Sequence, residues 1–202
     1  MRRAPSLLLA LSLAAAPALA MAQASDPAAA RVDAFYGVLL DTMKQGKSLG
    51  VEGRYRKLEP AVEQTLDLHA MTRFAVGPKW TALSPAEQAQ VTKAFKRMSV
   101  ATYAKNFDSF SGQSFKVDPK VQSRGPDKLV KTQLIQPGKA PVDLTYRMRE
   151  AGQGGWKVID VFYQGSVSQL TTQRSDFSAT VAAGGAPALV KKLDALSDSL
   201  MK

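Results

Sequence analysis

Residues 154–177, GGWKVIDVFYQGSVSQLTTQRSDF, constrain the fold more than any other stretch of this chain. They read as a turn, a strand, a sharp break at Gly165 and an amphipathic helix. Read as a straight strand, Trp156, Val158 and Phe162 fall on one side, and Ile159, Val161 and Tyr163 on the other. A strand apolar on both sides is buried on both faces, or has one face on a core and the other against something else apolar. Asp160 stands in its middle, where a charge is costly unless paired. The obvious partner in sequence is Arg174, on the helix that follows.

The N-terminus sets the compartment. Arg2 and Arg3 precede a short apolar run over 7–16, and small residues follow. Ala18-Leu19-Ala20 and Ala22-Gln23-Ala24 both suit a signal peptidase. Residues 1–24 therefore read as a signal peptide, and 25–202 as one exported domain without a further membrane span. The chain has no cysteine, so the domain must hold together by its core alone.

Two of the 27 basic residues leave with the leader, against 17 acidic ones, giving a mature net charge of +8. Such an exported protein meets anionic lipid head groups, envelope polymers or an acidic partner. Nucleic acid is a poor fit, because the basic residues are scattered and lack interleaved aromatics.

The mature chain falls into three blocks. Residues 26–110 are helical. Val32, Phe35, Leu39 and Met43 recur at helical spacing, then Tyr55, Leu58, Val62 and Leu66, with Pro60 able to kink or split the second run. Asp67 can cap a short helix closed by Gly77-Pro78. Ser84-Pro85-Ala86-Glu87 is a capping box that opens a long helix with Val91, Phe95, Met98 and Thr102 on one stripe.

Residues 114–164 read as four antiparallel strands. Val142, Leu144, Tyr146 and Met148 alternate cleanly with Asp143, Thr145, Arg147 and Arg149, one covered face and one wet face. The last block is helical, with a stripe of Val167, Leu170, Phe177 and Val181, a break at Gly184-Gly185 and a final helix from Pro187. The fold expected is α+β: helices gathered on one face of a curved four-stranded antiparallel sheet, a cystatin- or NTF2-like cone enclosing an apolar cavity.

Catalytic chemistry finds little support. His69 is the only histidine, so a transition-metal site is not expected and no metal ligand is assigned. No glycine-rich phosphate loop and no nucleophile elbow is present, and no cofactor is implied. Asp160 alone has an argument for burial. It reads either as a structural ion pair with Arg174 or as a base in an apolar pocket, with Tyr146 or Tyr163 as proton donor in an isomerase- or dehydratase-like enzyme.

The apolar inventory points elsewhere. Met98, Phe107, Val130, Leu134, Leu144, Tyr146 and Met148 share the sheet face and long helix, with Met71 and Phe74 nearby. Such a set is ordinary core, or it lines a cavity left under long helices on a curved sheet. Pattern alone leaves both open.

The whole mature chain resembles the MlaC family of periplasmic lipid carriers, the toluene-tolerance auxiliary components. The residues that carry the resemblance are Leu66-Asp67-Leu68-His69-Ala70-Met71-Thr72-Arg73-Phe74-Ala75-Val76-Gly77-Pro78-Lys79-Trp80, Leu83-Ser84-Pro85-Ala86-Glu87-Gln88, Tyr103, Val142-Asp143-Leu144-Thr145-Tyr146, Gly155-Trp156-Lys157-Val158-Ile159-Asp160-Val161, Gly165-Ser166-Val167-Ser168, and Arg174 with Phe177. Ala70-Met71-Thr72-Arg73, the 103–110 stretch and Arg174-Ser175-Asp176-Phe177 look closest to the hopanoid-associated branch, HpnM. Phe74-Ala75-Val76-Gly77 departs from the broader family's pattern, which bears on the lipid class more than on the fold.

The resemblance implies a carrier without catalytic activity. It would move a hopanoid or phospholipid across the periplasm, between an inner-membrane lipid transporter and an outer-membrane acceptor. The expected tail-binding residues are Met98, Tyr103, Phe107, Val130, Leu134, Leu144, Tyr146 and Met148, with Trp156, Asp160 and Arg174 as scaffold. A third reading, an adaptor that binds only protein through its basic surface, expects a filled core instead.

Overall fold

The computed structural model describes residues 25–202, so the leader reading of 1–24 lies outside the described residues. Helix α1 (Pro27–Lys44) starts on an Asp26 cap whose carboxylate accepts from the Ala28 amide at 2.8 Å. It buries Val32, Phe35, Leu39 and Met43, the expected stripe, and Tyr36 beside it. Helix α2 (Gly46–Thr65) breaks at Gly50, where φ is 60°, and runs on through the exposed Pro60. The break thus falls on the residue that tolerates positive φ, not on the proline. Asp67 caps α3 (Leu68–Val76) by accepting from the Ala70 amide at 2.9 Å, and Gly77 closes it. A 3-10 segment (Gly77–Ala82) leads to α4 (Pro85–Asn106), which opens on the expected capping box.

Six strands follow, not four. They are β1 (Ser114–Val117), β2 (Gln122–Arg124), β3 (Asp127–Ile135), β4 (Val142–Glu150), β5 (Trp156–Tyr163) and β6 (Val167–Ser168). All pairs are antiparallel in the order β1-β3-β4-β5-β6, and β2 shares the β3 edge with β1. Pro119 separates β1 from β2 because it has no amide to offer the ladder. Val167, expected on a helical stripe, instead pairs with Tyr163 in β6 and is 53% exposed. Helix α5 (Gln169–Leu200) begins only after the Ser168 cap and bends at Gly184–Gly185, as the glycine pair suggested.

The helices cover one face of the sheet. Facing pairs Leu134–Val142, Leu144–Tyr163, Tyr146–Val161 and Met148–Val158 lie on that inner face. Between the Arg147–Asp160 and Met148–Val158 pairs β5 carries one residue more than β4. This bulge reverses the strand's parity, so Val158 and Val161 share the inner face although three positions apart. The free edge of β5 is closed by Leu66, which bridges to Val158, and by β6.

The same bulge sends Asp160 to the outer face. It is buried, accepting from the Ser168 hydroxyl at 2.6 Å and the Val161 amide at 2.8 Å. The expected pair with Arg174 does not form: the Arg174 guanidinium lies over the Phe74 ring, 5.2 Å from its centroid. The Ser168 hydroxyl and the Val161 amide, both close in sequence, satisfy Asp160 without a side chain from further along α5.

Asp127, 1% exposed, is the outer face's true ion-pair centre. Arg149 Nε donates to it at 2.6 Å, Arg149 Nη2 at 3.0 Å and Arg147 Nε at 2.6 Å. Burial disfavours its charge, but the hydrogen bonds from both arginines outweigh that and hold its pKa below the ordinary value. A carboxylate lowered in the fold contributes stability above the unfolded pKa of about 3.9, which is lost as pH falls through the folded value. Asp127→Asn is therefore expected to cost about 1–2 kcal/mol at pH 7, the half-exposed arginines being partly screened. In thermal melts the gap from wild type should close below about pH 4. A gap independent of pH would show that the charge is not what matters.

Candidate functional site

Between the inner sheet face and the helices lies a pocket of about 340 Å³, open on one side. Three strands supply one wall through Leu134, Val142, Leu144, Tyr146, Val161 and Tyr163. Helix α4 supplies the facing wall through Phe95, Met98, Ser99, Thr102, Tyr103 and Asn106, the i, i+3, i+4, i+7 positions of one face, with Phe107 just past its end. Gln169, Leu170 and Gln173 close a third side from the first turns of α5, and Leu66 and Met71 a fourth.

Of the expected tail-binding residues, the structure brings Met98, Tyr103, Phe107, Leu134, Leu144 and Tyr146 onto this pocket. Val130 and Met148 do not reach it. Both are 0% exposed in the packed core, toward the opposite end of the sheet, where α1 crosses β3 and β5. They share the parity of Leu144 and Tyr146, but alternation says nothing of where along a strand the cover is tight. Phe74, grouped with them by sequence, points away and is 40% exposed. Val161, Tyr163, Gln169 and Gln173 were missed. The bulge hid the first two, and polar residues carry no hydrophobic periodicity.

The lining aromatics Tyr103, Phe107 and Tyr146 are backed by a second layer of Phe35, Tyr36 and Phe115. Tyr36 stacks on Phe115 with centroids 3.9 Å apart and meets Tyr146 edge-on at 5.8 Å. Tyr103 packs edge-on against Phe35 at 5.2 Å and near-parallel to Phe107 at 5.8 Å. The Tyr36 and Thr132 hydroxyls share a 2.6 Å hydrogen bond. Burial pushes the Tyr36 hydroxyl up to about 12, despite bonds to Thr132 and Tyr146 that favour its anion. Burial, and then the neighbouring tyrosines, raise Tyr103 and Tyr146 as well. These hydroxyls stay neutral and are displaced from the near-neutral pKa that general acid catalysis favours.

The arrangement separates the elements of the enzymatic reading. Tyr146 and Tyr163 line the pocket, whereas Asp160 is on the other face of the sheet and already bonded. His69 packs edge-on against Trp80, 5.5 Å between centroids, outside the pocket. Among the described residues no cluster of three or more histidine, cysteine or carboxylate side chains could hold a metal, and no helix is long and apolar enough to cross a membrane.

Besides its tyrosines, the pocket's polar side chains are Ser99, Thr102, Asn106, Gln169 and Gln173, of which Asn106 and Gln169 are exposed and mark the mouth. Thr102 is satisfied by the Met98 carbonyl at 2.8 Å. Gln173 Oε1 is the single buried side-chain polar atom among the described residues with no hydrogen-bond partner. An unpaired buried acceptor on a pocket wall costs about 1–3 kcal/mol until a donor arrives. The pocket can thus take an apolar body inward and a hydrogen-bonding group at the α5 side.

A solved structure of the same architecture is that of a phospholipid-binding protein from Ralstonia solanacearum in complex with a phospholipid. It matches with a TM-score of 0.75 at 24% identity, covering 88% of this chain and 100% of that one, a likeness of fold. A search of curated proteins gives no match. Residues 35–195, which hold every pocket-lining side chain described above, match the family model of the MlaC protein, and the chain belongs to the MlaC family.

Proposed function

We propose that this protein is a periplasmic carrier that shuttles a membrane lipid between inner and outer membranes and catalyses no reaction. The observation that carries the reading is the half-open pocket, apolar inside and polar at the mouth, with the Gln173 acceptor unpaired. Each buried methylene is worth about 0.8 kcal/mol, so a two-chained lipid leaves a bilayer for water only at a cost well above ~20 kcal/mol. A carrier removes that cost by enclosing tails and leaving the head group at the mouth. At about 340 Å³ the pocket is at the small end of ligand sites, which suits tail insertion with the polar part outside. The phospholipid held by the Ralstonia solanacearum protein supports the same use of the fold here.

The cargo is a phospholipid or a hopanoid. The +8 charge of the mature chain favours approach to anionic bilayers or acidic docking surfaces. Loading and unloading partners would be an inner-membrane lipid transporter and an outer-membrane acceptor. An adaptor binding only protein calls for a filled core, against which the pocket speaks.

Native extraction followed by lipid mass spectrometry tests the reading. The expected result is about one lipid per chain, regained from vesicles after stripping. A protein that emerges without lipid and acquires none overturns it.

A further inference from the structure

A second concavity, of about 540 Å³, lies on the far side of the wall formed by α3 and α5. Arg73 comes to it from α3, Arg149 from β4 and Arg174 from α5, around Phe74 and Trp80. Near neighbours divide the wall: on α5 Gln173 faces the lipid pocket and Arg174 the cleft, and on α3 Met71 faces the pocket and Arg73, two residues on, the cleft.

The cleft is under-neutralised. Asp127 is shared between Arg147 and Arg149. Asp160 is held by Ser168 and the backbone, and Asp67 caps α3. Among the described residues no carboxylate forms a salt bridge with Arg73 or Arg174. The Arg174 guanidinium is nonetheless positioned, over Phe74 and against Gly77. Gly77 has φ 71°, which favours glycine, and a Cβ there would sit 2.7 Å from Arg174 Nε and displace the guanidinium from this seat. The Arg174 fork, held beside an exposed aromatic ring and unpaired, with exposed Arg73 and the Asp127-bound Arg149 adding positive charge around it, is suited to carboxylates.

The position selects the occupant. Arg149 is near the C-terminal end of β4, and the pocket mouth is near its N-terminal end at Val142. Seven residue steps along the strand separate the two by about 20 Å. The exposed apolar side chains Ile135, Tyr163 and Val167 are at the mouth end. A flat bilayer meeting the mouth cannot also enter a cleft at the other end, whereas a protruding peptide can. We propose that the Arg73–Arg149–Arg174 cleft docks an acidic segment of a protein partner, leaving the lipid mouth free. The site stands whether or not the pocket carries lipid.

The test uses the whole mature chain and a fluorescein-labelled hexaglutamate peptide, read by anisotropy at low and physiological salt. Binding is expected to weaken about tenfold in an Arg73→Gln, Arg174→Gln double variant. The charge-matched Lys47→Gln, Lys191→Gln control, exposed and remote, should lose no more than about twofold. Co-purified lipid should be the same in both. If the double variant does not fold, Arg174→Lys, which keeps charge and loses the fork, should still bind several-fold more weakly. Equal losses in the two double variants, no peptide binding by wild type, or an Arg174→Lys affinity equal to wild type overturns the proposal. So does loss of binding to phosphatidylglycerol vesicles in the arginine variant with peptide binding intact.

Discussion

A chain with tryptophan in place of Leu144 is expected to melt as wild type does and to lose nearly all its lipid. Leu144 is half-buried on β4, in the middle of the pocket wall, opposite Tyr163 and Thr132 across the ladders. A larger side chain there extends into the void between sheet and α4, so it meets little packed protein. It displaces cargo instead. Excluding three or four methylenes costs the complex about 2.4–3.2 kcal/mol, or roughly 60- to 200-fold in affinity. The informative contrast is Met148→Trp, two pleats along on the same parity but 0% exposed. That substitution overpacks a closed core and should cost about 1–3 kcal/mol of stability. Vesicle uptake and thermal melts on the two variants separate pocket from core. Full lipid loading by the Leu144→Trp chain would remove the pocket from the mechanism.

That contrast also marks where the sequence stops being legible. Local signals carried through: the Asp67 cap, the Ser84–Glu87 box, the α1 stripe and the alternation of β4 are all where short-range chemistry puts them. These features rest on contacts within a few residues. Three others rest on tertiary context. The bulge in β5 changes which side Val158, Asp160 and Val161 face, and no residue in the run WKVIDVFY announces it. The strand β2, Gln122–Arg124, is polar and fully exposed, so it has no period to detect. The division of one apolar face into pocket (Leu134, Leu144, Tyr146) and core (Val130, Met148) depends on where the helices lie across it. Gln173 and Arg174 show the same limit on a helix. Adjacent in sequence, they face different concavities because α5 passes between them.

A single methyl group at Gly46 is expected to destabilise the protein by about 2–3 kcal/mol and to lower its melting temperature by about 4–12 °C. Gly46 opens α2 and is buried beneath the segment that leaves α4. A Cβ built on it falls 1.8 Å from the Asp108 carbonyl oxygen and 2.5 Å from its carbon, both backbone atoms that no rotamer change can move. The junction is also pinned from the other side. Arg54, 8% exposed, donates from Nε to the Ala104 carbonyl at 2.7 Å and from Nη1 to the Gly46 carbonyl at 2.8 Å. Its charge thereby faces the negative end of α4. The α1–α2 junction and the end of α4 are thus clamped together, and alanine at 46 must break the clamp or push 107–109 outward. Phe107, on the pocket wall, moves with that segment, so lipid uptake should fall alongside stability. Gly37→Ala is the internal control. Gly37 is helical and exposed, with no atom within 4 Å of the added carbon. There the same substitution should stabilise by about 0.5–1 kcal/mol. Opposite signs at the two glycines are the expected result, and a Gly46→Ala chain that melts like wild type would mean the exit of α4 does not pass over α2 as described.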